Sequence, residues 1–207
     1  MTVYPWPESR HLIPTISEAA LNLLVIRVVT PITAVRHTAR AQLRGALRAV
    51  LALQHDCTPE SIELVSLPGR AISVDLPGHQ IGLSASHELG ISVAAIHRGG
   101  PVGIDILQLT GEFDWLPVAH DYLGLHVAAK ITSLPPREQL AEFARQWTRL
   151  EACLKCLGIG LQEWSLSLEH QLSACRLIDL ELPSGLFGAV ACARVDESFQ
   201  SLKIADG

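Results

Sequence analysis

Three residues carry side chains that could do chemistry together. Asp105 lies in the stretch Val102 to Leu107, which reads VGIDIL, and Glu151 and Lys155 lie in FARQWTRLEACLKCLG, from Phe143 to Gly158. A lone carboxylate in an apolar stretch is costly unless it is paired, hydrogen-bonded or bound to a metal. Asp105 and Glu151, if they converge, make a minimal site for a hard cation with oxygen ligands, which suits magnesium. A plainer reading competes with this one. Glu151 and Lys155 stand one helical turn apart, and that spacing also describes an ordinary surface pair on a core helix.

The elements that must position these residues follow from periodicity. Val102, Ile104 and Ile106 alternate with Gly103, Asp105 and Leu107, the pattern of a short strand. Leu107 falls on the same face as Asp105. Phe143, Trp147, Leu150, Leu154 and Leu157 recur at steps of four and three, the pattern of one apolar helix face. Pro135-Pro136 sets up the start of this helix near Arg137, and Gly158 is placed to cap its end.

The rest of the chain sorts by the same rules. A second helix is expected over Ala34 to Gln54, with Ala39, Leu43, Ala46, Leu47, Val50 and Leu53 buried. Arg36, Arg40, Arg44 and Arg48 recur every four residues along its flank. Such a row either covers apolar surface as a solvated flank or meets a polyanion. Strands are expected at Leu21 to Val29, Ser61 to Leu67, Ala71 to Val74 and Ile91 to Ile96. Trp164, Leu166 and Leu168 alternate as well. Ala174 to Leu180 and Leu186 to Val195 are further strand stretches, joined by the turn Pro183-Ser184-Gly185. Ser86-His87 is placed at a loop–strand junction. Arg98-Gly99-Gly100-Pro101 is the sharpest break, dividing the chain into residues 1–101 and 102–207. Residues 1–20 read as a surface arm, and 196–207 as a fraying end.

WTRLEACLKCLG resembles the W-x-x-K-E-A-x-x-K-x-x-G signature of the Sfp-type 4'-phosphopantetheinyl transferases. VGIDIL resembles that family's G-x-D-x-E block, and LSASHELGISVAAI its S-H-S block followed by a strand. The three occur in the family's order between Gly82 and Gly160. Two positions depart from the pattern: Leu107 replaces a second acidic ligand, and Leu150 replaces the lysine before the glutamate. The resemblance implies an α+β fold of two similar lobes about a pseudo-twofold axis, with the ligand in the cleft between them. It implies transfer of the 4'-phosphopantetheine arm of coenzyme A to a serine of an acyl or peptidyl carrier protein, with Mg2+. On this reading Asp105 and Glu151 are metal ligands, and Glu151, Asp105 and Lys155 are the catalytic group. Ser86, His87, Lys155, Arg44 and Arg70 contact the coenzyme, Arg44 standing for the centre of the arginine row. The competing class is a module of the same origin that binds coenzyme A or a carrier protein without transfer.

Composition bounds these expectations. The 207 residues carry a formal charge of −5. That balance lacks the basic footprint of non-specific nucleic-acid binding, so an anion would need a local cationic cluster. Five cysteines are an odd number and are expected to be reduced, in a cytoplasmic protein. Cys153 and Cys156 have C-x-x-C spacing inside a helix with no second pair, which argues against zinc. No apolar run approaches membrane-spanning length, and the opening residues do not read as a secretory leader. A monomer is expected, because two fused lobes could complete a cleft in one chain.

Overall fold

A computed structural model describes residues 1–9, 22–33, 35–67, 70–111 and 113–194. The expected frayed end at 196–207, most of the N-terminal arm, and Pro68 and Gly69 lie outside the described residues. The strands are β1 (Tyr4–Pro5), β2 (Leu23–Val29), β3 (Leu64–Val65), β4 (Ser73–Val74), β5 (Ile81–Glu88), β6 (Ile91–Arg98), β7 (Val102–Gln108), β8 (Cys175–Asp179) and β9 (Leu186–Ala193). The α-helices are α1 (Arg36–Gln54), α2 (Trp115–Val118), α3 (Leu125–Thr132), α4 (Pro136–Leu157) and α5 (Leu166–Leu172).

The architecture is α+β, with two modules of sheet and helix. One sheet has the order β1-β2-β6-β5, the other β7-β9-β8. Apart from the short β1, both follow one plan. The first strand pairs antiparallel with the last, and the last pairs antiparallel with the one before it. In each module a long helix follows the first strand. The Arg98–Pro101 break connects β6 to β7 and so falls between the two sheets.

The sheets lie back to back between the two long helices. Val25, Val93 and Ala95 of the first sheet pack on Val102, Ile104, Ile106 and Val190 of the second. The opposite face of the first sheet, with Leu24, Ile26, Ala94 and Ile96, packs on Leu43, Leu47, Val50 and Leu51 of α1. Fully burying one such leucine or isoleucine stabilises the fold by about 1.5–3 kcal/mol. Helix α1 has no side-chain cap at Val35 and no acid in its first turn. Packing, rather than capping, holds it in place.

Helix α4 uses two faces. Most of the stripe expected from the sequence turns away from the sheet: Phe143, Leu150 and Leu154, with Trp147 beside them, pack with Ala119, Leu123, Ile131 and Leu168, while Leu157 departs from it and packs on the sheet side. The sheet side is made of smaller residues, Ala152, Cys153 and Cys156, against Cys175, Ala189 and Ala191. Gly103 of β7 completes this close approach, since a Cβ there would stand 1.9 Å from the Ala152 carbonyl oxygen. Gly158 ends the helix in the left-handed region at φ 67°, as its position predicts.

Several local expectations change. Ser86-His87 lies inside β5 rather than at a loop junction, because Ser84 and Ser86 alternate with Leu83 and Ala85 as a strand requires. Only Leu64–Val65 of the expected Ser61–Leu67 strand pairs, because Pro59–Ser61 forms a 3-10 turn. Leu53 is half-buried, while Leu51 and Ala52 complete the core side of α1. The alternating Trp164–Leu168 stretch is not a strand. Ser165 caps α5 by accepting from the Leu168 N–H, and a capped turn overrides a three-residue alternation.

Candidate active site

β5 and β7 are the edge strands of their sheets, and they meet along a seam. Ser84 Oγ accepts the Ile104 N–H at 3.1 Å, and Ser86 Oγ accepts the Ile106 N–H at 3.3 Å. Serine hydroxyls thus join two edges that are not paired as a ladder. Above the seam, walled by α1 and α4, opens a cleft of about 1030 Å³. Every residue expected at the catalytic or coenzyme site lines it: Ser86, His87, Asp105, Glu151, Lys155, Arg44 and Arg70.

Asp105 sits at the centre. Its Oδ1 accepts from Lys155 Nζ at 2.7 Å and from Ser86 Oγ at 2.8 Å. Lys155 also donates to the Ile104 carbonyl at 3.0 Å. The plainer alternative, a surface pair of Glu151 with Lys155, is not the arrangement found: the lysine reaches across to the strand instead. It does so because Gly103 brings α4 close enough for Nζ to meet β7 backbone and carboxylate together. An ammonium has three protons, so one remains beyond these two bonds. Glu151 is half-buried, and burial pushes its carboxyl up. The neighbouring Asp105 charge adds to that rise, and Lys155 opposes it. A carboxyl raised in this way is a better proton acceptor than an exposed one.

The other wall is cationic. Arg36 and Arg40 stand at the N-terminal end of α1, where the helix dipole adds partial positive charge and no acid offsets it. Both reach the cleft. Arg44 also lines it, but its Nη2 is held on the Leu64 carbonyl at 2.7 Å. Arg48 is turned to the Ile62 carbonyl. The row is thus split between an anchoring pair and a cleft-facing pair, with Arg44 in both settings. Arg44 stands at the centre of the row in the sequence, but Arg36 and Arg40, signalled only by the four-residue spacing from the helix start, face the cleft as well. His87 shares a 2.8 Å hydrogen bond between Nδ1 and Ser92 Oγ. Burial first, then the charges of Arg40, Arg36 and Lys155, bring its pKa down to about 4. The imidazole is neutral at physiological pH, and Arg36, Arg40, Arg44, Arg70 and Lys155 supply the positive charge.

Leu107 lines the cleft on the Asp105 side, so an apolar side chain takes the place where the resemblance expects an acid. Leu150 is buried in the helical core, as its place on the apolar stripe predicts. Arg149, its neighbour, forms a bidentate pair with Asp179 away from the cleft. Among the described residues, no group of three or more His, Cys, Asp or Glu is placed to hold a metal. Two carboxylates do not make an all-protein cage. They do fit magnesium, which keeps several waters and is commonly held by one or two carboxylates plus substrate phosphates.

Residues 101–188 match the 4'-phosphopantetheinyl transferase superfamily. The matched segment contains Asp105, Glu151 and Lys155, so the resemblance carried by the later motifs is shown over β7 to the first half of β9. No curated protein matches the chain. Among the described residues, no helix is long and apolar enough to cross a membrane.

Proposed function

We propose that the protein transfers the 4'-phosphopantetheine group of coenzyme A to a serine of an acyl or peptidyl carrier protein. The observation that carries this reading is the convergence of Asp105, Glu151 and Lys155 on one side of a cleft whose other side is arginine-rich. The superfamily match over 101–188 supports the reaction class. The shared strand plan supports two lobes, residues 1–101 and 102–207, related by a pseudo-twofold axis.

Each residue then has a task. Arg36, Arg40, Arg44 and Arg70 hold the phosphates of the coenzyme, and Lys155 offers its remaining proton to the pyrophosphate. Neutral His87 contributes ring hydrogen bonding, and a bound phosphate dianion would favour its protonation. Glu151, directly or through a bound water, takes the proton of the carrier serine. The serine oxygen bonds to the phosphorus that bears the pantetheine arm. The bond from that phosphorus to the bridging oxygen breaks, and adenosine 3',5'-bisphosphate leaves with the electron pair. Asp105 and Glu151 would hold Mg2+, which would supply neutralisation of pyrophosphate charge. One chain brings both walls of the cleft, which supports a monomer. The absence of a basic footprint favours carrier protein and coenzyme over nucleic acid or membrane as partners. The reading places the protein in the cytoplasm, where coenzyme A and carriers meet.

The test is mass spectrometry of several apo carrier proteins after incubation with the protein, coenzyme A and magnesium. A phosphopantetheine adduct on a carrier serine is the expected result. No adduct on any carrier would contradict transfer. If coenzyme binding persisted in that case, the non-catalytic module would be the better account, with Leu107 as its structural basis.

A further inference from the structure

We propose that Ser86 is a positioning residue, whose hydroxyl fixes Asp105 so that Oδ1 is consumed within the protein and Oδ2 is the oxygen offered to a cation. This inference rests on the proposed function for the identity of the ligand. The directions of the bonds follow from elementary chemistry. The Ile106 N–H can only donate, so Ser86 Oγ accepts there at 3.3 Å. The serine's single proton is then free for the carboxylate, and it meets Oδ1 at 2.8 Å. Lys155 Nζ, also only a donor, lands on the same Oδ1 at 2.7 Å. Among the described residues no protein group bonds Oδ2.

The result is a relay of fixed polarity from the β7 backbone through Ser86 to one oxygen of Asp105. Ser86 is buried and belongs to the opposite sheet from Asp105. The carboxylate of one module is therefore aimed by a hydroxyl of the other. This differs from the expectation that Ser86 contacts the coenzyme itself, because its proton is already committed. Ser84 provides a built-in contrast. It makes the same kind of seam bond, to the Ile104 N–H at 3.1 Å, and among the described residues it bonds no carboxylate.

The experiment measures Mn2+ binding by water-proton relaxation, with coenzyme A present, alongside thermal melts. Ser86→Ala should weaken Mn2+ binding by about 10-fold, the lower end for losing a group that orients a metal ligand. Ser84→Ala should soften the seam and leave Mn2+ affinity unchanged. Ser86→Thr, which keeps the hydroxyl, should restore binding. Ser86→Cys keeps the volume but donates weakly, and should fall between. In steady state, excess Mg2+ should rescue kcat of Ser86→Ala with the KM for coenzyme A unchanged. Equal losses in Ser84→Ala and Ser86→Ala would overturn the proposal in favour of seam mechanics. A raised coenzyme KM with unchanged Mn2+ binding would overturn it in favour of direct contact. Wild-type protein that binds Mn2+ and coenzyme but shows no Ser86 effect defeats this inference alone. Wild type that binds no Mn2+ defeats the metal reading as well.

Discussion

The two modules share a strand plan and differ in what their first strands show to their long helices. In β2 the residues facing α1 are Leu24 and Ile26, with Val28 partly packed beside them. In β7 the corresponding face carries Gly103, Asp105 and Leu107. The first module uses that face as core. The second gives up two core side chains, using glycine for a close helix approach and aspartate for a polar contact with Lys155. The helices differ in the matching way. α1 places cations at its start, beside the cleft, while α4 places an acid and a lysine in its last two turns. The two modules thus present an arginine-lined wall and a wall that carries Asp105, Glu151 and Lys155. The two walls face each other across the seam where Ser84 and Ser86 of β5 accept from the β7 backbone.

The strongest way to break this asymmetry is to remove the acid from β7. Asp105→Asn should lower transfer by roughly 100-fold or more, comparable to removing a positioned acid–base group. It should leave a folded protein, destabilised by about 1 kcal/mol, because the Lys155 ion pair is partly exposed and solvent screens its loss. Initial rates paired with thermal melts check both. A variant with wild-type turnover would make Asp105 a structural partner of Lys155 and nothing more. The cationic wall should respond differently. Arg36→Ala with Arg40→Ala should raise the KM for coenzyme A by about 10-fold, the equivalent of one charge-assisted hydrogen bond, with little change in kcat. An unchanged KM would return both arginines to the status of solvated flank.

Making β7 more acidic should sharpen the contrast. Leu107 faces the cleft, so Leu107→Glu adds a carboxylate beside Asp105. The magnesium concentration for half-maximal transfer should fall several-fold, read from metal titrations of both proteins. Coincident curves would show that position 107 does not reach the cation.

The smallest effect concerns His87. Its pKa is about 4 in the folded protein, below the ordinary 6.5. As pH falls, the unfolded chain takes up the proton first, so this group favours the folded state above pH 6.5 and withdraws that support progressively towards pH 4. His87→Gln should therefore lose less Tm than wild type over that window. Parallel pH profiles would show that the imidazole is not held neutral by burial and by Arg36 and Arg40.

Local pattern carried the parts of this arrangement that are themselves local. The β7 alternation, the Gly158 cap, the four-residue arginine spacing and all of the α4 stripe but Leu157 are properties of short windows, and the structure keeps them. The three ordered motifs also mark Ser86, His87, Asp105, Glu151 and Lys155, all of which line the cleft, whereas its four arginines lie outside them. What could not be read was the choice of partner over long sequence separations. Lys155 has Glu151 one turn away, yet it bonds Asp105, 50 residues distant, because Gly103 sets the helix–strand spacing. Ser86 looked like a junction residue, since its neighbours across the seam, Ile106 and Asp105, belong to the other sheet. Trp164 to Leu168 alternates like a strand, but its ending was decided by a serine cap and by Leu168 burying against α4 and the helices before it.

The most direct test of the central claim is the initial rate of transfer by Glu151→Gln onto a competent apo carrier protein, measured by mass spectrometry beside a thermal melt. Glutamine nearly preserves shape and helix propensity while removing charge and basicity. The expected result is a folded protein whose transfer rate falls by roughly 100-fold or more, because a positioned base typically contributes that factor, while Glu138→Gln at the exposed start of α4 keeps the wild-type rate. A folded Glu151→Gln protein with near wild-type turnover would contradict it.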